Sequence, residues 1–285
     1  MNKVAIVTDS TAYLPEDLVK DLGIVVLPLS IIWDNESLRD GVDILPDDFY
    51  RRLAAAKTMP TTSQVTVGAM DTMFRYLLDQ GRDVLGIFVS SKISGTFESA
   101  VAAAAALPES AERIGLHDSL TTIVDMGWQV LAAARLANAG ASLAECTKAA
   151  AQARDNSGVL FVVETLEFLR RGGRIGGAQA LLGTALSIKP VLAMLDGSIV
   201  SVEKVRTKAK ALDRMVELVG ERIGGRTPVR VATAHANSEA EALSLLDTAK
   251  AKFSPIETYC RPLSPVIGAH VGPGTIALTY LAGVE

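Results

Sequence analysis

Sulfur chemistry is scarce in this chain: 285 residues carry two cysteines, Cys146 and Cys260. They lie far apart and form neither a CxxC pair nor a zinc-ligand spacing. A disulfide scaffold and a thiol-bound metal are thereby excluded, and two core thiols in a reducing cytoplasm are predicted. Long apolar runs are also missing. No stretch reaches the roughly 18 apolar residues of a membrane span, and "AVAAAAAL" (100–107), closed by Pro108 and Glu109, reads as a buried helix. The opening "MNKVAIVTDST" meets Thr8 and Asp9 after four apolar residues, too few for a signal-peptide core. Charge of one sign is not concentrated: 28 basic against 32 acidic residues give a net charge of −4 and a pI near 5.5. No Lys/Arg cluster suggests a nucleic-acid face. A cytoplasmic protein with at most transient membrane contact is expected.

The composition present is that of a globular protein, 49% hydrophobic and 21% charged. A mean hydropathy of +0.28 is high for such a chain; alanine supplies much of it, and an internal apolar cavity would raise it too. Apolar strand runs alternate with amphipathic helical runs over the first half. "KVAIVT" (3–8), "IVVLPLSII" (24–32), "DVLGIFVS" (83–90) and "IGLHDS" (114–119) read as strands. The stretches 45–57, "MDTMFRYLLDQG" (70–81), "GTFESAVAAAAAL" (95–107), 121–139 and 142–154 read as helices, and "TMPTTSQ" (58–64) as a loop. This alternation predicts a parallel sheet covered on both faces. Ligands in such sheets sit beyond the carboxyl ends of the strands. The polar loops there are 9–11, 61–64, 90–96 and 118–119. Near residue 156 the texture changes. Strands joined by an Asp196-Gly197 hairpin turn, with helices over 209–223 and 238–252, predict an α+β unit. The fold class is α/β with two domains, 1–155 and 156–285; the 61–75 segment is a candidate to pack with the second.

Several catalytic signatures fail on inspection. GxxxxGK[ST], HExxH and EF-hand patterns are absent, and Gly272-x-Gly274-x-x-Ala277 leaves too little chain for a dinucleotide fold. Ser94 has Lys92 two residues before it, where a hydrolase elbow needs glycine. Ser201-x-x-Lys204 falls in a strand-like run, where alternation puts the two side chains on opposite faces. His117 and His235 end apolar runs and read as structural. His270, in "GAHVGPGT", sits among glycines that permit close approach, and it reads equally as structural or as an anion donor. "SSKISGTFES" (90–99) holds five hydroxyl residues at a strand-to-helix junction. A helix N-cap explains one of them, and an anion cradle at the helix start explains more. "TTSQ" (61–64) carries three adjacent hydroxyls where a turn needs one. In "LRRGGRIGG" (169–177) a helix C-cap with Gly172 left-handed explains Arg170 and Arg171. It leaves Arg174 unassigned, and Arg206 in "EKVRT" is a further candidate for pairing with an anion.

Taken together and in order, "VTDSTAYLP" (7–15), "PTTSQ" (60–64), "SSKISGTFESA" (90–100), "DS" (118–119), "TLEFLRRGGRI" (165–175), "IKP" (188–190), "VRT" (205–207) and "GAHVGPGT" (268–275) resemble the DegV family over essentially the whole chain. The resemblance implies a two-domain cytoplasmic protein that binds one long-chain fatty acid between its domains and needs no cofactor or metal. It implies that the carboxylate is held by Ser94 in the SGT motif (Ser94, Gly95, Thr96), by Thr61 or Thr62, and near His270. It assigns Arg174 and Arg206 to partner engagement or phosphoryl transfer, since some members serve an ATP-dependent fatty acid kinase subunit. The family loop often reads TSQPS. Here Val65 replaces the proline, which changes loop stiffness but keeps the hydroxyls. Hydroxyls and a helix N-terminus would satisfy a carboxylate without a fixed positive charge. The competing reading is a serine hydrolase or acyltransferase using Ser94 with His270 as base; a phosphate-ester binding domain is a third.

Overall fold

The computed structural model describes residues 3–181 and 188–285. Four apolar runs form the first sheet: β1 (Val4–Asp9), β2 (Val25–Leu27), β6 (Asp83–Phe88) and β7 (Ile114–Asp118), all parallel, in the order β2-β1-β6-β7. β1 is buried along its whole length, as a central parallel strand covered on both faces must be. Helices α3 (Val67–Asp79) and α4 (Thr96–Ala105) pack together against one face. Helices α5 (Ile123–Asn138) and α6 (Leu143–Asp155) pack against the other, and the short α1 (Glu16–Asp21) links β1 to β2.

The second sheet has six strands: β8 (Ser157–Val162), β9 (Lys189–Leu195), β10 (Ser198–Val205), β11 (Val229–His235), β12 (Glu257–Pro262) and β13 (Ile276–Ala282). Their order is β10-β9-β8-β13-β11-β12, and every pairing but β11–β12 is antiparallel. Asp196 and Gly197, both with positive φ, turn β9 into β10, as the Asp-Gly signal predicts. A bulge between Ser201 and Glu203 breaks the register of β10, so the alternation expected between Ser201 and Lys204 does not hold there. Helices α8 (Lys208–Ile223) and α9 (Glu239–Phe253) pack on this sheet. So does α5, which is therefore shared by both sheets. Twelve of its sixteen residues are buried. Its Trp128 donates Nε1–H to Thr279 on β13 at 3.2 Å and stacks on Tyr259 of β12, with ring centroids 5.4 Å apart. One apolar core consequently runs from Val4 through Trp128 to Phe161 and Ala277, and a second lies under α8 and α9.

A third, smaller sheet departs from the sequence expectation. The run 24–32 is not one strand: it splits at Pro28 into β2 and β3 (Ser30–Trp33), because proline cannot donate to a ladder. β3 turns through Asp34-Asn35, both with positive φ, into β4 (Glu36–Arg39). Part of the expected 58–64 loop is strand β5 (Thr61–Ser63). The order is β4-β3-β5, all antiparallel. Helix α10 (Pro265–Val271), from the far end of the chain, packs on this sheet and on α2 (Pro46–Ala55). The short α7 (Glu167–Arg171) follows β8 and touches α10.

Candidate functional site

The carboxyl ends of the parallel strands divide the polar loops into two kinds. Some consume their own hydrogen-bonding groups. Asp9, buried at the end of β1, accepts Thr11 N–H at 2.9 Å and Thr11 Oγ1–H at 2.6 Å on one oxygen, and Val89 N–H at 2.8 Å on the other. Asp118 accepts the Ser91 hydroxyl at 2.6 Å and Leu120 N–H at 3.0 Å, and Ser119 Oγ donates to Thr121 O at 3.1 Å. These are fastenings between strand ends. Burial raises the Asp9 carboxyl above its ordinary range.

The other loops meet at a cavity of about 190 Å³. That exceeds the roughly 150 Å³ apolar void that admits a benzene ring. Val159, Phe161, Met194, Ile199 and Ala277 from the second sheet give it an apolar wall, while Thr62, Ser94, Gly95, Arg174 and His270 bring polar groups. A chain of contacts ties those groups together. Thr62 Oγ1 lies 2.8 Å from His270 Nε2. The other ring nitrogen, Nδ1, is buried without a hydrogen-bond partner. It stands so near Gly172 that a Cβ there would come within 2.2 Å of it. Arg174 donates Nη1–H to Gly172 O at 2.6 Å and Nε–H to Ile93 O at 3.0 Å, next to Ser94.

Each residue singled out from the sequence has a definite place. Thr62 faces His270, while the neighbouring Thr61 is exposed and does not line the cavity. Ser94 lines it. Thr96 does not: it is buried and holds Ser94, with 2.9 Å between the hydroxyl oxygens and 3.3 Å from Thr96 N to Ser94 Oγ. Gly95 is the N-cap of α4 and has no side chain to cap it, while the first helical N–H, of Thr96, goes to Ser94 Oγ. The amide of Gln64 packs over it, where a Cβ would come within 2.2 Å of Gln64 Oε1. Arg206 is exposed at the end of β10 and stands apart from the cavity lining. Arg174 lies within that lining, so the site carries a fixed positive charge that hydroxyls alone would not provide. The Gly172 expectation also changes. Its φ is −71°, and Gly173, at +71°, takes the left-handed position. Gly172 is glycine for room beside His270.

Burial foremost, and then the Arg174 guanidinium, push the His270 pKa down from 6.5 to about 4. The ring is therefore neutral at neutral pH, able to donate or accept but not to add charge. A serine–histidine relay is not assembled: Ser94 is engaged by Thr96, His270 by Thr62, and no carboxylate reaches His270 Nδ1 among the described residues. The other histidines have structural partners. His117 Nε2 is 2.9 Å from Gln129 Oε1, and His235 Nδ1 accepts Ser238 N–H at 3.3 Å.

Comparison with known proteins finds relatives over the whole chain. The family model described as "Uncharacterised protein, DegV family" matches residues 3–283. A DegV domain-containing protein of Halalkalibacterium halodurans is 40% identical over 281 residues, covering 98% of this chain and 99% of its own. Protein DegV of Bacillus subtilis is 34% identical over 280 residues, covering 97% and 98%. Among solved structures, a DegV family protein from Thermus thermophilus, described for its fatty acid binding, superposes with a TM-score of 0.93 at 33% identity, covering 98% of this chain and 99% of that one. DegV of Bacillus subtilis, described as a fatty acid binding protein, superposes with a TM-score of 0.89 at 33% identity over 99% and 100%. The chain belongs to the DegV family.

Proposed function

We propose that this protein binds a long-chain fatty acid, with the acyl chain in the cavity and the carboxylate at the cluster of Thr62, Ser94, Arg174 and His270. One observation carries the reading: an apolar cavity whose polar groups form a single connected cluster, in a chain whose structural neighbours are described as fatty acid binding proteins. The energetics fit. Burying each CH₂ yields about 0.8 kcal/mol, so the roughly half a dozen that a 190 Å³ cavity takes yield about 5 kcal/mol gross, part of it offset by ordering and lost freedom. A buried carboxylate needs donors. Ser94, Thr62 and the first turn of α4 offer them, Arg174 offers charge, and the neutral His270 can add a hydrogen bond. Native mass spectrometry of the purified protein, with extraction of bound lipid, tests the reading. A fatty acid in roughly one-to-one ratio is expected. An empty protein that also takes up no added fatty acid would sink it.

The finer role is presentation of the bound carboxylate to an ATP-dependent kinase subunit for acyl-phosphate formation. It is supported by the partial exposure of Thr62, Ser94 and His270 and by the exposed Arg206. Its test is phosphoryl transfer from ATP to the bound lipid by such a subunit from the same cell, with Arg206→Ala slowing transfer but not lipid binding.

A further inference from the structure

Helix α10 is fastened to the small sheet at both of its ends. At its C-terminal end His270 meets Thr62 of β5. At its N-terminal end the fastening is Asp40, the residue that follows β4. The residue is 2% exposed. One oxygen, Oδ2, accepts Ser10 Oγ–H at 2.7 Å and Ser264 Oγ–H at 2.8 Å, and Oδ1 accepts Val266 N–H at 3.4 Å. Tyr13 doubles the hold: its hydroxyl donates to Ser264 Oγ at 2.7 Å and accepts Ser264 N–H at 2.8 Å. Between the two ends the helix lies flat on α2, and a Cβ on Gly268 would come within 2.6 Å of the Tyr50 hydroxyl and 2.9 Å of the Phe49 ring. The Asp40 backbone is tied to the same sheet through its N–H, which donates to Leu29 O at 2.9 Å.

A short helix is stiff. From Val266 to His270 the rise is about 6 Å, so a displacement at the first reaches the second nearly whole. Asp40 directly follows β4 and Thr62 lies in β5, and these two strands flank the same central strand β3. The carboxylate and the His270 contact are therefore two ends of one rigid bracket. We propose that Asp40 is a positioning residue for the polar end of the cavity: by holding the start of α10 on the sheet that carries Thr62, it sets where the His270 imidazole stands. Among the described residues no cation pairs with it. The titratable groups around it are Asp9, Tyr13 and Tyr50, so its hold comes from directed hydrogen bonds, for which the geometry of the acceptor matters.

The effect on His270 stands independently of which ligand the cavity takes; the effect on affinity rests on the fatty acid reading. The test follows the histidine side-chain nitrogen NMR signals of the ligand-free full-length protein, with His270 assigned through His270→Gln. His117 and His235 serve as internal references. Asp40→Ala is expected to shift the His270 signals while the other two stay. It should also weaken binding of a fluorescent fatty acid by about tenfold, the equivalent of one lost charge-assisted hydrogen bond. Asp40→Asn keeps one acceptor oxygen for the two serine hydroxyls and gives up only the longer contact from Val266 N–H, so it should recover part of the affinity and bring the His270 signals back toward wild type. If Asp40→Ala does not fold, Ser264→Ala removes one strand of the bracket and should produce the same shift at smaller amplitude. Unmoved His270 signals in a folded Asp40→Ala or in Ser264→Ala, whatever the loss of melting temperature, would reduce Asp40 to a fastening and overturn the proposal. Shifted His270 signals in a protein that binds no fatty acid would support the bracket and defeat the ligand reading instead.

Discussion

The two ends of α10 are both polar and both largely withdrawn from solvent, yet they are satisfied to different degrees. At the N-terminal end Asp40, Tyr13, Ser10 and Ser264 each find partners within the cluster. At the C-terminal end His270 has one partner, Thr62, and a buried Nδ1 with none. Buried polar groups are almost always paired, so the incomplete end is the one shaped for something the chain does not supply. The complete end reads as structure, and the incomplete end is the one that the proposed site uses. Four measurements can break or sharpen this contrast.

The largest effect is expected at the incomplete end. Gly172→Ala places a Cβ against His270 Nδ1 and must displace the ring. Fatty acid affinity should fall by about a hundredfold, near the upper range for losing a hydrogen bond to a charged group, while the melting temperature changes little. A large loss of stability would show that this end too is structural. At the complete end, Tyr13→Phe leaves Ser264 N–H without its acceptor. Chemical denaturation should show a loss of about 1–3 kcal/mol, the penalty for an orphaned buried donor; no loss would mean that the cluster is not tightly satisfied. Ser94→Ala comes next, with about a tenfold weaker Kd by titration and a nearly unchanged melting curve.

The smallest effect is one of pH, and here the two ends oppose each other. Burial raises the Asp40 pKa to about 6. Asp40 therefore supports the fold fully below its ordinary unfolded value and gives that support up as the pH rises through 6. Burial lowers the His270 pKa from 6.5 to about 4. His270 supports the fold fully above 6.5 and loses that support as the pH falls toward 4. Between pH 4.5 and 6.5 the two slopes partly cancel. Melting temperatures across that window should fall more steeply with acidification than wild type in Asp40→Asn, and less steeply in His270→Gln. Slopes that change in the same direction for both variants would contradict the assignment.

The parallel sheet was legible in the sequence because its strands are continuous apolar runs bounded by polar loops, and Asp196-Gly197 announced its hairpin. The small sheet was not. Its strands span three or four residues, Pro28 and the Asp34-Asn35 turn interrupt any periodicity, and β5 is hydroxyls rather than β-branched hydrophobics throughout. Ser94 and His270 stood out by motif. What no motif could say is that Thr62 rather than Thr61 meets His270 across 208 positions of sequence, since that depends on the face β5 presents. Asp40 gave no signal, because an acid before glycine reads as an ordinary turn residue. Arg174 and Gly172 were visible, but their meaning depends on α7 ending beside α10.

Helix α5 is packed against both large sheets, with Trp128 reaching across to Thr279 and Tyr259. Clamshell motion needs a plane along which two bodies can part, with only a few residues absorbing the rotation. No such plane runs beside α5, because opening one would strip apolar surface from a helix buried on nearly every side. A ligand bound as proposed would therefore have to enter and leave at the rim of the cavity, with the two large sheets staying together around α5.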